Sequence, residues 1–211
     1  MPVRWGAVVL AAGAASRMGA RPKCLLQIDG LAIIARQLAA LQALGVPEVA
    51  VVLGHYADAI ARVLPDMPQL RSVRHPDPDA GQNSSLHLGL HALSQDCEAV
   101  MVLLADQPLV DQSVLRALMQ AFESRDASVD VLVPWHATDA VPGNPVVMTA
   151  RVRQDILAGS TERGCKQWQQ TYPQAVQRWA TTDRAYFTDL DTPEDVHNLR
   201  VSTGWTIDWP L

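Results

Sequence analysis

Residues 10–23 read Leu10-Ala11-Ala12-Gly13-Ala14-Ala15-Ser16-Arg17-Met18-Gly19-Ala20-Arg21-Pro22-Lys23, and they follow directly on an apolar run from Trp5 to Ala11. The apolar run is typical of a first buried strand, and the small residues after it let backbone amides approach a ligand closely. Arg17, Arg21 and Lys23 would face the anionic oxygens of that ligand. The pattern predicts a strand that ends in a polyphosphate cradle. On spacing alone, an ordinary Ala/Gly-rich turn with solvated bases stays open as the alternative.

Two common nucleotide-binding fingerprints are absent from this stretch, which contains neither G-x-x-x-x-G-K-[ST] nor G-x-G-x-x-G. A signal peptide is another interpretation of the amino terminus, because Arg4 precedes the apolar run and small residues follow it. We favour the buried strand. The run from Gly6 to Ala15 is roughly half of the ~20 residues that a membrane-spanning helix needs, so the sequence predicts no membrane segment.

Beyond this stretch, short apolar runs alternate with segments of helical periodicity. Apolar residues recur at three- and four-residue steps in segments 31–44 and 114–122, which predicts crossover helices. Gly45 and Pro47 end the first of them. This alternation is typical of a mostly parallel sheet covered by helices. The predicted strands are Trp5 to Ala11, Val49 to Leu53, Leu70 to Val73, Ala99 to Leu104, Val129 to Val133, Pro145 to Met148 and Val176 to Trp179.

No linker-like change of composition divides the chain, and we expect a single domain over residues 1–211. A polar loop from Arg74 to Asn83 leads into a helix signal at Ser84, where serines can cap. A second loop, His136 to Gly143, interrupts the alternation where substrate-facing structure is expected. The tail from Gly204 onward carries two of the six tryptophans. We expect them to pack against the body of the protein, with a partner surface as the alternative.

Charge and cysteine content narrow the class of protein. The 211 residues include 17 Lys and Arg against 22 Asp and Glu, a net charge of −5. Such a chain lacks the broad positive field of a nucleic-acid-binding protein. Its three cysteines show no C-x-x-C spacing, which argues against a disulfide framework or a structural zinc site. We therefore expect a reducing, cytoplasmic location and no nucleic-acid partner.

A carboxylate stands directly after one predicted strand. Asp106 follows Ala99 to Leu104 and precedes Pro108, which restricts the turn. Open α/β sheets place ligands at the carboxyl ends of their strands, and Mg²⁺ is usually held by one or two carboxylates together with substrate phosphates. Asp106 is therefore a candidate magnesium ligand. Helix capping is the alternative role, and Asp111 fits that role better.

A further acidic segment lies near the carboxyl end of the chain. In an extended backbone Asp189 and Asp191 point to one face. Thr192 can cap the helix that follows, with Asp195 at its third position. Asp191 can alternatively supply a second carboxylate to a metal shared with Asp106. The motif alone does not decide between a structural and a metal-binding role.

Together these segments resemble the MobA-like nucleotidyltransferases, and most closely the molybdenum cofactor cytidylyltransferases with their L-A-A-G-x-S-x-R-M-G-x-x-K opening. The L-A-A-G form of residues 10–13, as against L-A-G-G, is similar to the cytidylyl rather than the guanylyl type. The resemblance spans nearly the whole chain. Its other carriers are Gly81, Ser84-Ser85-Leu86, Gly89, Ala105-Asp106-Gln107-Pro108-Leu109, Gly143-Asn144-Pro145-Val146 and Asp189-Leu190-Asp191-Thr192-Pro193-Glu194-Asp195.

The resemblance implies a fold and a set of site residues. The fold would be α/β and Rossmann-like, with three α/β/α layers and a mostly parallel sheet that carries a short antiparallel insertion, as in nucleotide-diphospho-sugar transferases. Lys23 and Arg17 would neutralise the triphosphate, and Asp106 would hold Mg²⁺ with Asp191 as helper. Ser84 and its neighbours would lie near the base and ribose. The implied nucleotide-binding residues are Leu10, Ala11, Ala12, Gly13, Ser16, Arg17, Lys23, Ser84 and Asp106.

The implied reaction is transfer of CMP from CTP to the terminal phosphate of molybdopterin, or of its molybdenum-bearing form, with release of pyrophosphate. Such chemistry requires the protein mainly to position the reactants and neutralise charge. The anionic acceptor needs little general-base help, so no protein nucleophile is required. Lys23, Arg17 and Asp106 would be the catalytic residues, and a molybdoenzyme would be the client for the product.

One stretch departs from the family pattern. Where a G-D-x-G stretch is usual, this chain has Gly159-Ser160-Thr161-Glu162-Arg163-Gly164, so the expected carboxylate is displaced or lost. Two other functions therefore stay open. One is nucleotidyl transfer to a sugar phosphate or another small metabolite, with GTP among the donors, and the other is a non-catalytic carrier of a nucleotide or pterin. Lys23 and Asp106 favour an enzyme, because a carrier has less use for both.

Three weaker signals in the sequence involve histidines, a tyrosine and a cysteine. His87 and His91 stand four apart on a predicted helix, a spacing that can serve one metal, but they lack the glutamate of an H-E-x-x-H motif. His55 and Tyr56 follow the second strand at the ligand-facing edge, where a substrate contact is an alternative to a structural role. Cys24 adjoins a lysine, and we expect it to be a buried, inert thiol.

Overall fold

The computed structural model describes residues 3–15, 18–19 and 21–210. Its strands are β1 (Trp5–Ala11), β2 (Gln27–Ile28), β3 (Leu31–Ala32), β4 (Glu48–Leu53), β5 (Leu70–Arg74), β6 (Ala99–Leu104), β7 (Val131–His136), β8 (Val146–Thr149), β9 (Val176–Thr181) and β10 (Ile207–Asp208). Its α-helices are α1 (Ile33–Ala43), α2 (Ala57–Ala61), α3 (Gln82–Ala92), α4 (Gln112–Glu123), α5 (Ala150–Ala158), α6 (Cys165–Thr171) and α7 (Pro193–Thr203).

A seven-stranded sheet in the order β5-β4-β1-β6-β8-β7-β9 organises the molecule. Strands β5, β4, β1 and β6 are parallel neighbours, and β8 runs antiparallel between β6 and β7. A second, three-stranded antiparallel sheet has the order β10-β2-β3. The predicted fold class is therefore confirmed. Because the central strands are parallel, their carboxyl ends meet at one edge, where ligands bind in open α/β sheets.

Helices cover both faces of the main sheet. Alternate residues of β1 face opposite sides, so that Ala7 and Val9 pack with α1 and α4, whereas Val8 packs with α3, α5 and α6. Helix α3 lies very close to the sheet, since a Cβ atom on Gly89 would be 2.3 Å from a methyl carbon of Val8. None of the described helices is both long and apolar enough to cross a membrane.

The small sheet closes a third core cluster that contains the carboxyl-terminal tail. Ile207 of β10 is buried together with Leu26, Ile28 and Ile33. Its strand pairs with β2, and the backbone N–H of Asp29 donates to the carbonyl of Thr206 over 2.8 Å. Both tail tryptophans pack against this cluster. The expectation that the tail packs against the body of the protein is correct.

Several element boundaries differ from the predicted ones for local reasons. Helix α1 begins at Ile33 rather than Leu31, because Leu31–Ala32 pairs with β2. Helix α3 begins after Gly81, whose φ of 92° lies in the left-handed region, and no side chain caps it. Strand β7 continues through Pro134, which is tolerated because β8 pairs with β7 only at Val131 and Leu132.

Candidate active site

A cleft of about 500 Å³ opens at the carboxyl edge of the central strands. The loop after β1, the turn after β6 and the start of α3 form its walls. Its described lining residues are Leu10, Ala11, Ala12, Gly13, Ala15, Met18, Pro22, Lys23, Cys24, Pro78, Gly81, Gln82, Ser85, Leu104, Ala105, Asp106 and Asp191. The cleft therefore brings together segments that are far apart in the sequence, from Leu10 to Asp191.

The loop after β1 lies in the cleft wall, as a polyphosphate cradle requires. Leu10 and Ala11 at the end of β1 and Ala12 and Gly13 at the start of the loop all line the cleft, and the small side chains of residues 11–13 leave the backbone accessible. Ser16 and Arg17, which the family resemblance assigns to phosphate binding, lie outside the described residues. Their roles stay predictions.

Lys23 joins the three segments that the sequence singled out. Its Nζ atom lies 2.7 Å from Oδ2 of Asp106 and 2.6 Å from Oδ1 of Asp191. The lysine side chain is 18% exposed, so burial alone would lower its pKa. The hydrogen bonds and charges of the two aspartates outweigh burial and raise the pKa of Lys23. Lys23 is thus held as an ammonium ion in the cleft.

A buried amide holds the turn that carries Asp106. Gln37 of α1 is completely buried, and its Nε2 donates to the carbonyls of Leu104 (2.9 Å) and Gln107 (3.0 Å). These carbonyls flank Asp106 on either side. Sequence reasoning missed Gln37, although a lone polar residue on the apolar face of a predicted helix is a signal that could have found it.

The segment of Asp189 and Asp191 reaches the same place through its backbone. The N–H of Leu190 donates to the carbonyl of Asp106 over 3.3 Å. Burial raises the pKa of Asp189, and repulsion from Asp191 and Asp106 raises it further. Thr192 caps α7 in a capping box with Asp195, as predicted. The capping role and the placement of Asp191 in the cleft therefore coexist.

The residues fit a divalent cation that is shared with a substrate. Within the ranges that the structure describes, no group of three or more His, Cys, Asp or Glu side chains is arranged to hold a metal by itself. Among the described side chains, Asp106, Asp189 and Asp191 nevertheless place three carboxylates near the ammonium of Lys23. Magnesium is usually held by one or two carboxylates together with phosphate oxygens. Oxygen donors and excess negative charge therefore suit Mg²⁺ once phosphates are present.

Helix α3 presents Ser85, rather than Ser84, to the cleft. The hydroxyl of Ser84 instead lies 2.9 Å from Nε2 of the buried His75. Nδ1 of that histidine accepts a hydrogen bond from the N–H of Asp77 over 3.1 Å, so Nε2 carries the proton and donates to Ser84. Ser84 thus ties α3 to the preceding loop, and Ser85 faces the site.

Two residues near Lys23 do not behave as phosphate ligands. The guanidinium of Arg21 lies 5.5 Å from the ring centroid of Trp209 in the tail, an arrangement typical of a cation–π contact. Cys24 is buried, and burial raises its pKa to about 12. The arginine is therefore directed to the tail and not to the cleft, and the cysteine is the inert thiol that the sequence predicted.

Two of the histidines that the sequence singled out, His55 and His87, bond to backbone carbonyls. Nδ1 of His55 lies 3.1 Å from the carbonyl oxygen of Ala12, and Nε2 of His87 lies 2.8 Å from that of Arg163. A carbonyl oxygen only accepts, so each of these ring nitrogens carries a proton. His87 therefore cannot offer Nε2 to a metal, and a pair with His91 at that nitrogen is ruled out.

The loop that departs from the family pattern docks on α3 close to the cleft. Asn83 donates from Nδ2 to the carbonyl of Glu162 over 2.6 Å. A Cβ atom on Gly164 would lie 2.0 Å from Oδ1 of Asn83, so a larger residue there would displace the Asn83 side chain from this position. The side chain of Glu162 itself is exposed. The loop is thus fixed through its backbone, without the aspartate that the pattern has after the first glycine.

Comparison with known proteins agrees with this architecture. A curated relative, the bifunctional protein GlmU of Leifsonia xyli subsp. xyli, is 31% identical over 225 aligned positions, covering 95% of this chain and 46% of the relative. The chain thus spans about half the length of that protein. A nucleotidyl transferase from Methanothermobacter thermautotroptrophicus, Mth528, is 25% identical with a TM-score of 0.75, covering 94% of this chain and 97% of that one.

A second solved structure shares the fold at lower identity. Rv0371C of Mycobacterium tuberculosis in complex with manganese is 21% identical with a TM-score of 0.68, covering 94% of this chain and 98% of that one. Residues 7–177 match the model of the MobA-like NTP transferase domain. This match includes the loop after β1, Lys23 and Asp106, and it extends over most of the main sheet. The chain belongs to the MobA-like NTP transferase family.

Proposed function

We propose that the chain is a nucleotidyltransferase that transfers CMP from CTP to the phosphate of molybdopterin or its molybdenum-bearing form and releases pyrophosphate. We further propose that residues 1–211 form one catalytic domain that acts in the cytoplasm, where its three thiols stay reduced, and that a molybdoenzyme receives the product. The observation that carries the proposal is the convergence of the loop after β1, Lys23, Asp106 and Asp191 in one cleft.

The chemistry follows from what these groups can do. An oxygen of the acceptor phosphate attacks the α-phosphorus of CTP, and the bond from that phosphorus to the bridging oxygen of pyrophosphate breaks. The acceptor oxygen is already anionic at neutral pH, so the chain needs no general base for it. The small residues Ala11, Ala12 and Gly13 let amides approach the phosphates, and Lys23 supplies a positive charge beside them.

Asp106 and Asp191 are the residues that would hold Mg²⁺, which when bound would neutralise phosphate charge and orient the triphosphate. Lys23 already bridges the two carboxylates in the cleft. We propose that its ammonium group exchanges one of these contacts for a phosphate oxygen of the nucleotide. Ser85, and through it the start of α3, would then contact the base or ribose.

A second acceptor class is favoured by one specific observation. Ser160 stands where the family pattern has the aspartate of G-D-x-G, and the loop around it docks on α3 through its backbone. We infer that the loss of this carboxylate favours an acceptor other than the pterin, namely another small phosphorylated metabolite. The donor site and the transfer chemistry would be the same.

A nucleotide panel tests the proposal. We expect purified protein with Mg²⁺ and molybdopterin to release pyrophosphate from CTP about tenfold or more faster than from GTP or ATP, because a site that hydrogen-bonds one base leaves polar groups unpaired with another. Reactions without acceptor serve as the control. Equal rates with all three nucleotides would reject the cytidylyl assignment.

Replacing molybdopterin in the same assay distinguishes the acceptors. Turnover with sugar phosphates but not with molybdopterin would select the second acceptor class. Nucleotide binding without pyrophosphate release from any acceptor would instead indicate a carrier.

A further inference from the structure

The turn that joins β4 to α2 lies directly against the loop after β1. The two strands are parallel neighbours, with Ala11 paired to Leu53, so their following segments leave the sheet side by side. A Cβ atom on Gly54 would lie 2.4 Å from the carbonyl oxygen of Ala12. Only glycine permits so close an approach of two backbones.

The next two residues of this turn bond to carbonyls of the loop. Nδ1 of His55 donates to the carbonyl of Ala12 over 3.1 Å, and the hydroxyl of Tyr56 donates to the carbonyl of Ala14 over 3.0 Å. Alternate carbonyls of the loop are therefore held on the side of the β4–α2 turn.

These two bonds determine where the amides of the loop point. In a planar trans peptide the N–H of a residue points away from the carbonyl that precedes it. Bonding of the Ala12 and Ala14 carbonyls therefore directs the N–H groups of Gly13 and Ala15 away from the turn. The cleft wall, as far as the described residues form it, includes Gly13 and Ala15 but neither His55 nor Tyr56.

The backbone at Ala15 needs such support. Its φ of 50° lies in the left-handed region, which is unfavourable for alanine. Backbones that enter this region place successive N–H groups on one side, a geometry that binds anions. The Tyr56 bond to the preceding carbonyl and a 3.0 Å bond from the N–H of Met18 to the carbonyl of Ala15 hold it there.

His55 also connects this loop to the opposite wall. Its Nε2 lies 3.0 Å from Oδ1 of Asp79 in the short turn Pro78–Ala80, and Pro78 lines the cleft. A carbonyl on one side and a carboxylate on the other are both acceptors, so both ring nitrogens carry protons in this arrangement. The imidazole ring therefore links the loop to this turn through one hydrogen bond at each nitrogen.

We propose that His55 and Tyr56 are positioning residues that hold the loop after β1 in its phosphate-binding conformation, with the N–H groups of Gly13 and Ala15 turned toward the triphosphate. Neither side chain touches the nucleotide. The inference rests on the proposed function, because it requires the cleft to bind a phosphate chain.

Tyr56→Phe removes one hydroxyl and keeps the ring. We expect it to weaken binding of inorganic tripolyphosphate, measured by calorimetry, about fivefold, the usual effect of one lost neutral hydrogen bond. The KM for CTP should rise by a similar factor with kcat and the thermal midpoint little changed. Tyr172→Phe, at the carboxyl end of α6 and outside the cleft wall, is the matched control and should bind as the wild type does.

His55 offers a matched pair of substitutions. His55→Asn places an amide N–H where Nδ1 stands and should retain tripolyphosphate binding within about twofold, whereas His55→Gln places it near Nε2 and should lose about fivefold. Wild-type affinity in Tyr56→Phe and in His55→Gln would overturn the inference and leave the proposed function intact. A wild-type protein that binds neither tripolyphosphate nor CTP would overturn both.

Discussion

At the scale of single residues, the balance of charge around Lys23 decides what the cleft can bind. The ammonium of Lys23 contacts Asp106 and Asp191. Burial and then the negative charges of these two aspartates raise the pKa of Asp189. Among the side chains that the structure describes here, the carboxylates outnumber the lysine, and this balance favours the binding of a second cation. The same carboxylates keep Lys23 charged and in place. An acidic protein can thus hold an anionic nucleotide, because fields at short range depend on the nearest groups, whereas distant charges are screened over ~8 to 10 Å.

Asp106→Asn tests this arrangement. We expect kcat/KM for pyrophosphate release to fall about 100-fold or more, since the amide can neither hold a divalent cation well nor pair with the lysine. The thermal midpoint should change little, because the variant also removes repulsion from Asp189 and Asp191. An unchanged rate would mean that the metal binds elsewhere.

Asp96→Asn is the matched control for that variant. Asp96 precedes β6, whereas Asp106 follows it, so the control lies at the opposite edge of the sheet. Its side chain is 66% exposed and pairs with Arg4 on the surface. Exposed pairs of this kind contribute about 0–1 kcal/mol, and we expect wild-type activity.

At the scale of elements, helix ends determine how segments enter and leave the cleft edge. Helix α4 follows the Asp106 turn and begins with Asp111, whose Oδ1 accepts from the N–H groups of Ser113 (2.8 Å) and Val114 (3.0 Å). Burial alone would raise the pKa of Asp111, but these bonds lower it overall. The side chain of Asp111 therefore caps α4 best when its carboxyl group is ionised.

Asp111→Ala should reduce the free energy of unfolding by about 1 kcal/mol at pH 7. A carboxyl whose pKa is lowered by folding stabilises the fold above its ordinary pKa, and the contribution is lost as pH falls through the folded pKa. The difference between variant and wild type should therefore shrink below about pH 4. Urea denaturation at pH 7 and pH 3 measures this difference in the free energy of unfolding. Asp66→Ala, at an exposed aspartate, is the control. A difference between Asp111→Ala and the wild type that does not depend on pH would contradict the charged cap.

At the scale of the whole molecule, the carboxyl-terminal tail supports the region that carries Lys23. Strand β2 follows the Lys23–Leu25 turn in the sequence, and β10 of the tail pairs with it. Ile207 of β10 is buried in the third core cluster. The ring of Trp209 also contacts the guanidinium of Arg21, and Arg21 stands two positions before Lys23 in the sequence. Chain positions nearly 190 apart in sequence are thus adjacent in space, and the end of the chain stabilises the segment near its beginning.

Ile207→Ala should therefore cost about 2–4 kcal/mol in the free energy of unfolding, because it leaves a cavity in a closed cluster. Val201→Ala, whose parent side chain is 73% exposed on α7, should cost almost nothing. Chemical denaturation of both variants makes the comparison. Equal free energies of unfolding for Ile207→Ala and the wild type would show that the tail is not part of the cooperative fold.

The sequence by itself determined those features that depend on neighbours along the chain. Apolar runs and their helical intervals predicted the parallel strands, because a strand buried on both faces must be continuously apolar. The caps at Asp111 and Thr192 were predictable for a similar reason, since each side chain bonds to amides two or three residues ahead. The small and basic character of residues 10–23 predicted a phosphate-binding loop, and that role stays a prediction.

Only the tertiary structure decided what depends on residues that are distant in the chain. Lys23 meets Asp191 across 168 positions, and Gln37 reaches the Asp106 turn across about 70. Local patterns hold no information on which distant groups a given sheet order brings together. The basic pattern assigned Arg21 to the phosphates, but its guanidinium lies against the ring of Trp209. The resemblance placed Ser84 and its neighbours near the nucleotide, and only the structure shows that Ser85 is the serine that lines the cleft. Both differences arise because side-chain direction is set by how a helix or turn packs on other segments, and packing is a property of the folded chain.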